Sequence, residues 1–173
     1  MTPVSRQPSA VTAFVALGSN LDDPPAQIRR ALQALAALPG TRLVGRSSLY
    51  RNPPTGVLDQ PDFVNAVAEI ETQLAARELL EHLLAIERSH DRVRDVPNGP
   101  RTLDLDLLLY GGLTVREPAL VVPHPRMLDR AFVLVPLAEI APEAVVPGRG
   151  RIADLVRNVD ASGMIRLRET DNG

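Results

Sequence analysis

The chain lacks cysteine and tryptophan, and all 19 of its basic residues are arginine, so lysine is absent as well. Without cysteine, the chain has no disulfide framework, no thiolate zinc site and no thiol nucleophile. Without lysine, Schiff-base chemistry and the lysine of a Walker phosphate loop are excluded. Any bound phosphate must therefore be held by arginine, by backbone amides or by a metal ion.

Aromatic residues and long hydrophobic runs are also scarce. Aromatic residues make up 3% of the chain, too few for a surface on which nucleobases stack, and the net charge of -2 argues against a general nucleic-acid binder. The longest apolar runs, such as 13–17 and 107–110, fall far short of the ~18 residues of a membrane helix. The first dozen residues lack the features of a signal peptide. We expect a cytoplasmic protein that binds neither nucleic acid nor membrane.

The hydrophobic pattern predicts an α+β fold. Short apolar segments predict four strands, at 13–17, 43–50, 63–70 and 102–110. Helical spacing predicts two intervening helices, the first beginning at the acidic cap and Pro24-Pro25 and the second spanning about 79–86. The order β-α-β-β-α-β is that of ferredoxin-like folds, in which helices cover an antiparallel sheet.

The remaining sequence predicts additions to this core. Short strands are expected near Val115 and Val122, followed by helices over about 130–140 and 152–157. Residues 1–11 are expected to form a flexible tail and residues 12–173 a single domain, since no repeat or linker interrupts them.

The strongest local signal for chemistry is Asp104 and Asp106 in the fourth strand. Alternation places both carboxylates on one face, with Cα atoms roughly 6.5–7 Å apart, and the leucines on the other. Paired carboxylates repel unless a cation or a proton lies between them, and Mg²⁺ commonly takes one or two carboxylates plus substrate phosphates. The alternative is a solvent-facing polar side of an edge strand.

Charged residues around the second helix strengthen that signal. Glu87 continues the apolar stripe of the helix, so it is either a buried carboxylate or an emerging one paired with arginine. Arg92, Arg94 and Arg101 precede the aspartate strand, where they form either a surface ion-pair network or a clamp for phosphates.

Two further groups are open to a functional or a structural interpretation. His124 lies between two prolines and is either structural or a donor to phosphate. Phe63 and Asn65 share one face of the third strand, where they either recognise a flat heterocycle by stacking and amide hydrogen bonds or occupy the core and a strand start.

Five segments together resemble the 6-hydroxymethyl-7,8-dihydropterin pyrophosphokinase family of folate biosynthesis. They occur in the family's order and occupy residues 16–21, 48–54, 59–66, 99–106 and 122–126. The most specific is Gly99-Pro100-Arg101-Thr102-Leu103-Asp104-Leu105-Asp106. The resemblance implies a ferredoxin-like fold and transfer of the β,γ-diphosphate of ATP to the hydroxymethyl oxygen of the pterin, with release of AMP.

The resemblance also implies residue roles. Asp104 and Asp106 would hold two Mg²⁺ ions and, with Arg92 and Arg101, would be catalytic. The nucleotide site would comprise Glu87, Arg92, Arg94, Arg101, Leu107, His124 and Arg130. The pterin site would comprise Asn52, Pro53, Thr55, Phe63, Asn65 and Phe132. The partners would be ATP and the hydroxymethyl pterin, and we expect a monomer.

The sequence departs from the family at three positions. Asn98 replaces an aromatic loop residue of many members, and Leu84 and Pro125 replace polar or aromatic nucleotide contacts of some members.

Two alternatives remain from the residues themselves. A palm-type two-metal nucleotidyl transferase also carries paired aspartates on a ferredoxin-like sheet, but it needs a surface for a template or a second nucleotide, which the modest charge and few aromatic residues do not offer. A non-enzymatic regulatory domain that binds a small molecule would leave the aspartate pair without a role.

Overall fold

A computed structural model of the protein describes residues 9–54, 58–90 and 102–168. Its strands are β1 (Val11–Ser19), β2 (Thr41–Arg46), β3 (Tyr50–Asn52), β4 (Phe63–Thr72), β5 (Asp104–Tyr110), β6 (Val115–Glu117), β7 (Leu120–Val122), β8 (Val145–Val146), β9 (Gly150–Arg151) and β10 (Ile165–Arg166). Its α-helices are α1 (Pro24–Ala36), α2 (Ala76–Ser89), α3 (Ala131–Ile140) and α4 (Ile152–Leu155).

The main sheet has six antiparallel strands, and its central order confirms the predicted ferredoxin-like core. β4 and β5 flank β1, while β2 and β3 both pair with β4 along successive stretches of its length, and β10 extends the sheet beyond β3. The order β2-β4-β1-β5 follows from two β-α-β units whose strands interleave.

The centre of the sheet is buried on both faces, because β1 is apolar over residues 13–17 and β4 over residues 66–68. Alternate residues such as Val15 and Leu17 pack with the buried faces of α1 and α2. The intervening residues, such as Phe14 and Ala16, pack against α3 and α4. A continuous apolar run is the pattern of a strand covered on both faces. The site lies on the α3 face, at the end of the sheet where the row of large apolar side chains stops.

Local signals predicted the start of α1, whereas α2 begins at Ala76, ahead of the predicted start at about 79. Asp23 caps α1 by accepting from the backbone N–H of Ala26 (3.4 Å), and prolines occupy the first two helical positions. At α2, Glu78 accepts from the backbone N–H of Ala75 (3.1 Å). The helix predicted over about 130–140 is α3, and the one predicted over about 152–157 is α4 with a 3-10 turn that continues to Asn158.

The predicted second strand, 43–50, is interrupted. Residues 47–49 are not strand residues. The N–H of Ser47 still donates to the carbonyl of Val67 (2.8 Å), but the N–H of Val67 donates to the Ser47 hydroxyl (2.9 Å) rather than to a backbone carbonyl, and the N–H of Ser48 donates to the Glu139 carboxylate (3.0 Å). The chain re-enters the sheet as β3, so Arg51 and Asn52, which lie beyond the end of the predicted strand, are strand residues.

Two strand boundaries also differ from the sequence-based ones. β1 does not stop at Gly18 but runs from Val11, inside the predicted tail, to Ser19. β5 begins at Asp104, and a register shift against β1 leaves no residue of β1 opposite Leu108, so Leu108 and Leu109 both face α3.

Candidate active site

Asp104 and Asp106 stand on the α3 face of β5, at the sheet edge. In the register with β1, Asp104 is opposite Gly18 and Asp106 is opposite Ala16. Both carboxylates are partly exposed and line one pocket. The small side chains opposite them leave the sheet surface open beside the carboxylates.

The other wall of this pocket is a pair of buried amides. Asn65 on β4 is the partner of Gly18 on the side away from Asp104, and it donates through Nδ2 to Oδ1 of Asn52 on β3. Nδ2 of Asn52 donates to the carbonyl of Pro53 (3.3 Å). Each asparagine is 7% exposed. Because these bonds fix both amides, the pocket presents a pre-set hydrogen-bonding edge.

Aromatic rings and an arginine close the pocket from α3. The guanidinium Cζ of Arg130 lies 5.5 Å from the ring centroid of Phe132, within the range of a cation–π contact. Nη1 of Arg130 is 3.9 Å from Oδ2 of Asp106. Arg130 therefore lies between the aromatic wall and the carboxylate pair.

The resulting pocket holds about 620 Å³ of empty space, its open mouth included. It is lined by Ala16, Leu17, Gly18, Asn52, Phe63, Asn65, Asp104, Asp106, Arg130, Phe132 and Val133. Seven of these residues, drawn from β3, β4, β5 and the start of α3, are site residues predicted from the sequence.

A second pocket, of about 830 Å³ on the same measure, adjoins the first at Asp106. It is lined by Leu80, Leu84, Leu105, Asp106, Leu107, Ala119, Leu120, Val121, His124 and Pro125. Its walls are apolar and come from α2, β5 and β7. The structure thus places Leu107 and His124 in a pocket that shares one carboxylate with the first.

His124 is held beside that carboxylate by the chain around it. Its backbone N–H donates to the carbonyl of Leu108 (2.9 Å), and its Nδ1 accepts from the N–H of Arg126 (3.2 Å). Burial and the charges of Arg130 and Arg126 together lower the pKa of His124 to about 4, against the opposing effect of the Asp104 carboxylate. The ring is therefore neutral at neutral pH. Since Nδ1 accepts, the proton sits on Nε2, which is 3.9 Å from Oδ1 of Asp106.

Glu87 is a buried residue, which rules out the alternative in which it emerges into solvent. It is 2% exposed, and Oε2 accepts from the backbone N–H of Leu105 (2.8 Å). This bond ties the end of α2 to the start of β5. The predicted nucleotide contact of Glu87 stays a prediction.

Other predicted site residues do not meet in the described pockets. Pro53 is exposed, and its ring lies next to Gly163. Thr55, Arg92, Arg94 and Arg101 lie outside the described residues, as does Asn98.

The residues that shape the pocket floor and frame were not predicted from the sequence. Ala16 and Gly18 are the floor, and their signal was two small residues at alternate positions of an otherwise bulky strand. Glu139 accepts from the Tyr50 hydroxyl (2.6 Å) and from Ser48, which joins α3 to the strand that carries Asn52. No local pattern marks that contact.

The carboxylate pair fits Mg²⁺ bound together with a phosphorylated substrate. Among the described residues, no group of three or more histidine or acidic side chains forms a complete protein-only metal site. Mg²⁺ keeps several water molecules and takes one or two carboxylates when substrate phosphates supply the rest. Two partly exposed carboxylates at the junction of two pockets match that requirement.

The chain is similar to proteins of one known family. The model of the 7,8-dihydro-6-hydroxymethylpterin-pyrophosphokinase (HPPK) family matches residues 14–142. The chain is 48% identical over 157 residues to the 2-amino-4-hydroxy-6-hydroxymethyldihydropteridine pyrophosphokinase of Haemophilus influenzae, covering 91% of this chain and 98% of that one. It is 50% identical over 154 residues to the Pseudomonas aeruginosa protein of the same name, covering 89% and 95%.

A solved structure shows the same fold. The HPPK-DHPS chain of Plasmodium falciparum superposes with a TM-score of 0.68 at 14% identity, over 90% of this chain and 47% of that one. No helix within the described ranges is long and apolar enough to cross a membrane.

Fold, site and relatives define a transferase with a ferredoxin-like core. The chain belongs to the HPPK family.

Proposed function

We propose that this protein transfers the β,γ-diphosphate of ATP to the hydroxymethyl oxygen of 6-hydroxymethyl-7,8-dihydropterin, releases AMP and so serves folate biosynthesis. The observation that carries the proposal is the meeting of two chemically different pockets at Asp106. One pocket offers amides and aromatic rings, and the other is apolar with a histidine at its inner end. A reaction between a heterocycle and a nucleotide needs such a pair of adjoining sites.

The amide-lined pocket is the proposed pterin site. A pterin is a flat heterocycle with several donors and acceptors on its edge, which suits stacking against Phe63 and Phe132 and hydrogen bonds to fixed amides. Asn65, anchored by Asn52, would read that edge. The hydroxymethyl group would then point along the floor over Gly18 toward Asp104.

The apolar pocket is the proposed site of the adenosine. Leu84 and Leu107 line it, and Leu84 stands where some members of the family carry a polar or aromatic contact. The base would be held here by packing and the phosphates would extend past His124 to the carboxylates. Glu87, Arg92, Arg94 and Arg101 complete the proposed nucleotide site, and Thr55 and Pro53 the proposed pterin loop.

Asp104 and Asp106 would hold the two Mg²⁺ ions. When bound, the metal neutralises charge on the phosphates and lowers the pKa of the attacking hydroxyl. The chain itself supplies orientation. Neutral His124 donates from Nε2, and the Arg130 fork offers paired N–H donors to phosphate oxygens, while Phe132 holds its guanidinium in place.

The proposed setting is a monomer in the cytoplasm.

The test is product analysis with ATP, Mg²⁺ and 6-hydroxymethyl-7,8-dihydropterin. We expect equimolar AMP and pterin diphosphate, with no AMP when the pterin is omitted. Release of ADP would indicate transfer of one phosphoryl group, and release of pyrophosphate would indicate nucleotidyl transfer. Asp106→Asn should abolish AMP release, whereas the matched change Asp154→Asn, on α4 and outside both pockets, should leave it unchanged.

A further inference from the structure

Gly18 occupies the central position of the pocket floor. In the sheet register it is opposite Asn65 on one side and opposite Asp104 on the other. Neighbouring strands lie about 4.8 Å apart, so Gly18 spans the gap of roughly 10 Å between those two residues. A group that bridges the amide wall and the carboxylates must pass over it.

The Asn65 amide depends on the missing side chain at this position. A Cβ atom built on Gly18 would lie 2.8 Å from Oδ1 of Asn65. Ordinary carbon–oxygen contacts are about 3.3–3.6 Å, so the amide would have to move. It cannot swing away freely, because Nδ2 is bonded to Asn52 and both side chains are buried.

These two facts set the orientation of the amide. Nδ2 is directed toward Asn52 on β3, and Oδ1 leans over β1 toward the side of Asp104. Oδ1 is thereby presented as an acceptor for a ring N–H or an exocyclic amine. An amide displaced by a methyl group at position 18 would lose that alignment.

We propose that Gly18 is a specificity-determining residue for the heterocyclic substrate, because its lack of a side chain lets the Asn65 amide lie across β1 and present its oxygen to the N–H edge of the ligand. The inference rests on the proposed function and adds to it a residue outside the predicted site. It does not concern nucleotide binding, since Gly18 lines only the amide pocket.

The test compares Gly18→Ala with Gly45→Ala. Gly45, in β2, has no atom within 4 Å of a built Cβ, so it is a matched glycine-to-alanine control in the same sheet. We expect Gly18→Ala to weaken binding of 6-hydroxymethyl-7,8-dihydropterin at least tenfold in calorimetry. Binding of a non-hydrolysable ATP analogue with Mg²⁺ should change less than twofold. Gly45→Ala should change neither. Unchanged pterin affinity, or equal loss for both ligands, overturns the inference.

A second measurement covers the case in which Gly18→Ala folds poorly. If the clash is with the amide, the destabilisation by Gly18→Ala must shrink when Asn65→Ala removes that amide, and the double variant must be more stable than additivity predicts. Strictly additive free energies of unfolding overturn the inference without any ligand. The proposed function is tested separately on the wild-type protein. If the wild-type protein does not bind the pterin, the proposed function is refuted. If the wild type and Gly18→Ala bind the pterin equally well, only the role of Gly18 is refuted.

Discussion

The contact of Glu139 with Tyr50 and Ser48 gives the sharpest stability prediction. The carboxylate of Glu139 accepts from the Tyr50 hydroxyl (2.6 Å), the Ser48 hydroxyl (2.9 Å) and the Ser48 N–H (3.0 Å), and Arg166 lies 3.5 Å away. Hydrogen bonds to a charged group contribute about 1.5–3 kcal/mol each, whereas the exposed arginine pair contributes about 0–1 kcal/mol. Tyr50→Phe removes one such bond and should lower the free energy of unfolding by about 1.5–3 kcal/mol.

A double-mutant cycle isolates the pair. Glu139→Gln keeps the shape but turns an acceptor-only group into one with an N–H₂ that meets the donors of Ser48, so it should cost about 2–3 kcal/mol. The coupling free energy between Tyr50→Phe and Glu139→Gln should be about 1–2 kcal/mol in urea unfolding at pH 7. The control is Tyr110→Phe, which removes the other tyrosine hydroxyl of the chain, bonded to the carbonyl of Leu74. That change should not couple to Glu139.

The pH dependence has a definite sign at each end. Burial raises the pKa of Glu139, but the hydrogen bonds from Tyr50 and Ser48 and the charge of Arg166 together bring it below its usual 4.5. The stability that the ionised Glu139 contributes is therefore present above pH 4.5 and is lost as the pH falls through the lowered pKa. The difference in free energy of unfolding between the wild type and Glu139→Gln should shrink over that pH range. Burial and the Glu139 carboxylate raise the pKa of Tyr50 to about 12. The stability that the protonated Tyr50 hydroxyl contributes is present below pH 10 and is lost as the pH rises toward 12. A coupling below 0.5 kcal/mol, or one equal to that of Tyr110→Phe, refutes the reasoning.

Three further predictions concern the site. Asp104→Ala or Asp106→Ala should abolish Mg²⁺-dependent binding of an ATP analogue. The melting temperature without metal should be unchanged or slightly raised, because the repulsion between the two carboxylates is relieved. A clear fall of that melting temperature in both variants would mark the pair as structural. Asn65→Ala should weaken pterin binding by about 1–3 kcal/mol in calorimetry and spare the nucleotide; equal weakening of both argues against its place in the pterin site. Glu87→Ala should lower the free energy of unfolding by roughly 1–3 kcal/mol, because the N–H of Leu105 loses its acceptor. Glu87→Gln keeps an acceptor oxygen and should retain most of that stability. Equal losses in the two variants would show that this hydrogen bond does not account for the stabilisation.

Much of the fold could be predicted from the sequence because its signals are local. Each signal acts within a few residues of chain. Examples are the start of α1 at Asp23-Pro24-Pro25, the apolar stripe of α2, and the alternation in β5 that sets Asp104 and Asp106 on one face. The order of elements followed, and with it the ferredoxin-like topology. The resemblance to the family rested on short segments of this kind.

Contacts between distant segments were decided only by the tertiary structure. At the break between β2 and β3, the hydroxyl of Ser47 accepts from the N–H of Val67, and the N–H of Ser48 donates to Glu139, 91 residues away in the chain. The bulge at Leu108 depends on the pairing of β5 with β1 and on the N–H of His124.

In the site, too, local sequence and tertiary structure decided different properties. Sequence by itself determined the chemical groups: a carboxylate pair on a strand, an amide and rings for a heterocycle, and arginines in place of lysine for phosphate. Their arrangement was decided by sheet register, which places Asn65, Gly18 and Asp104 in one row although they are remote in sequence. Register follows from burial of both faces of β1 and from partners that no local pattern reveals, because a shift of one residue would turn every side chain of a strand to the opposite face.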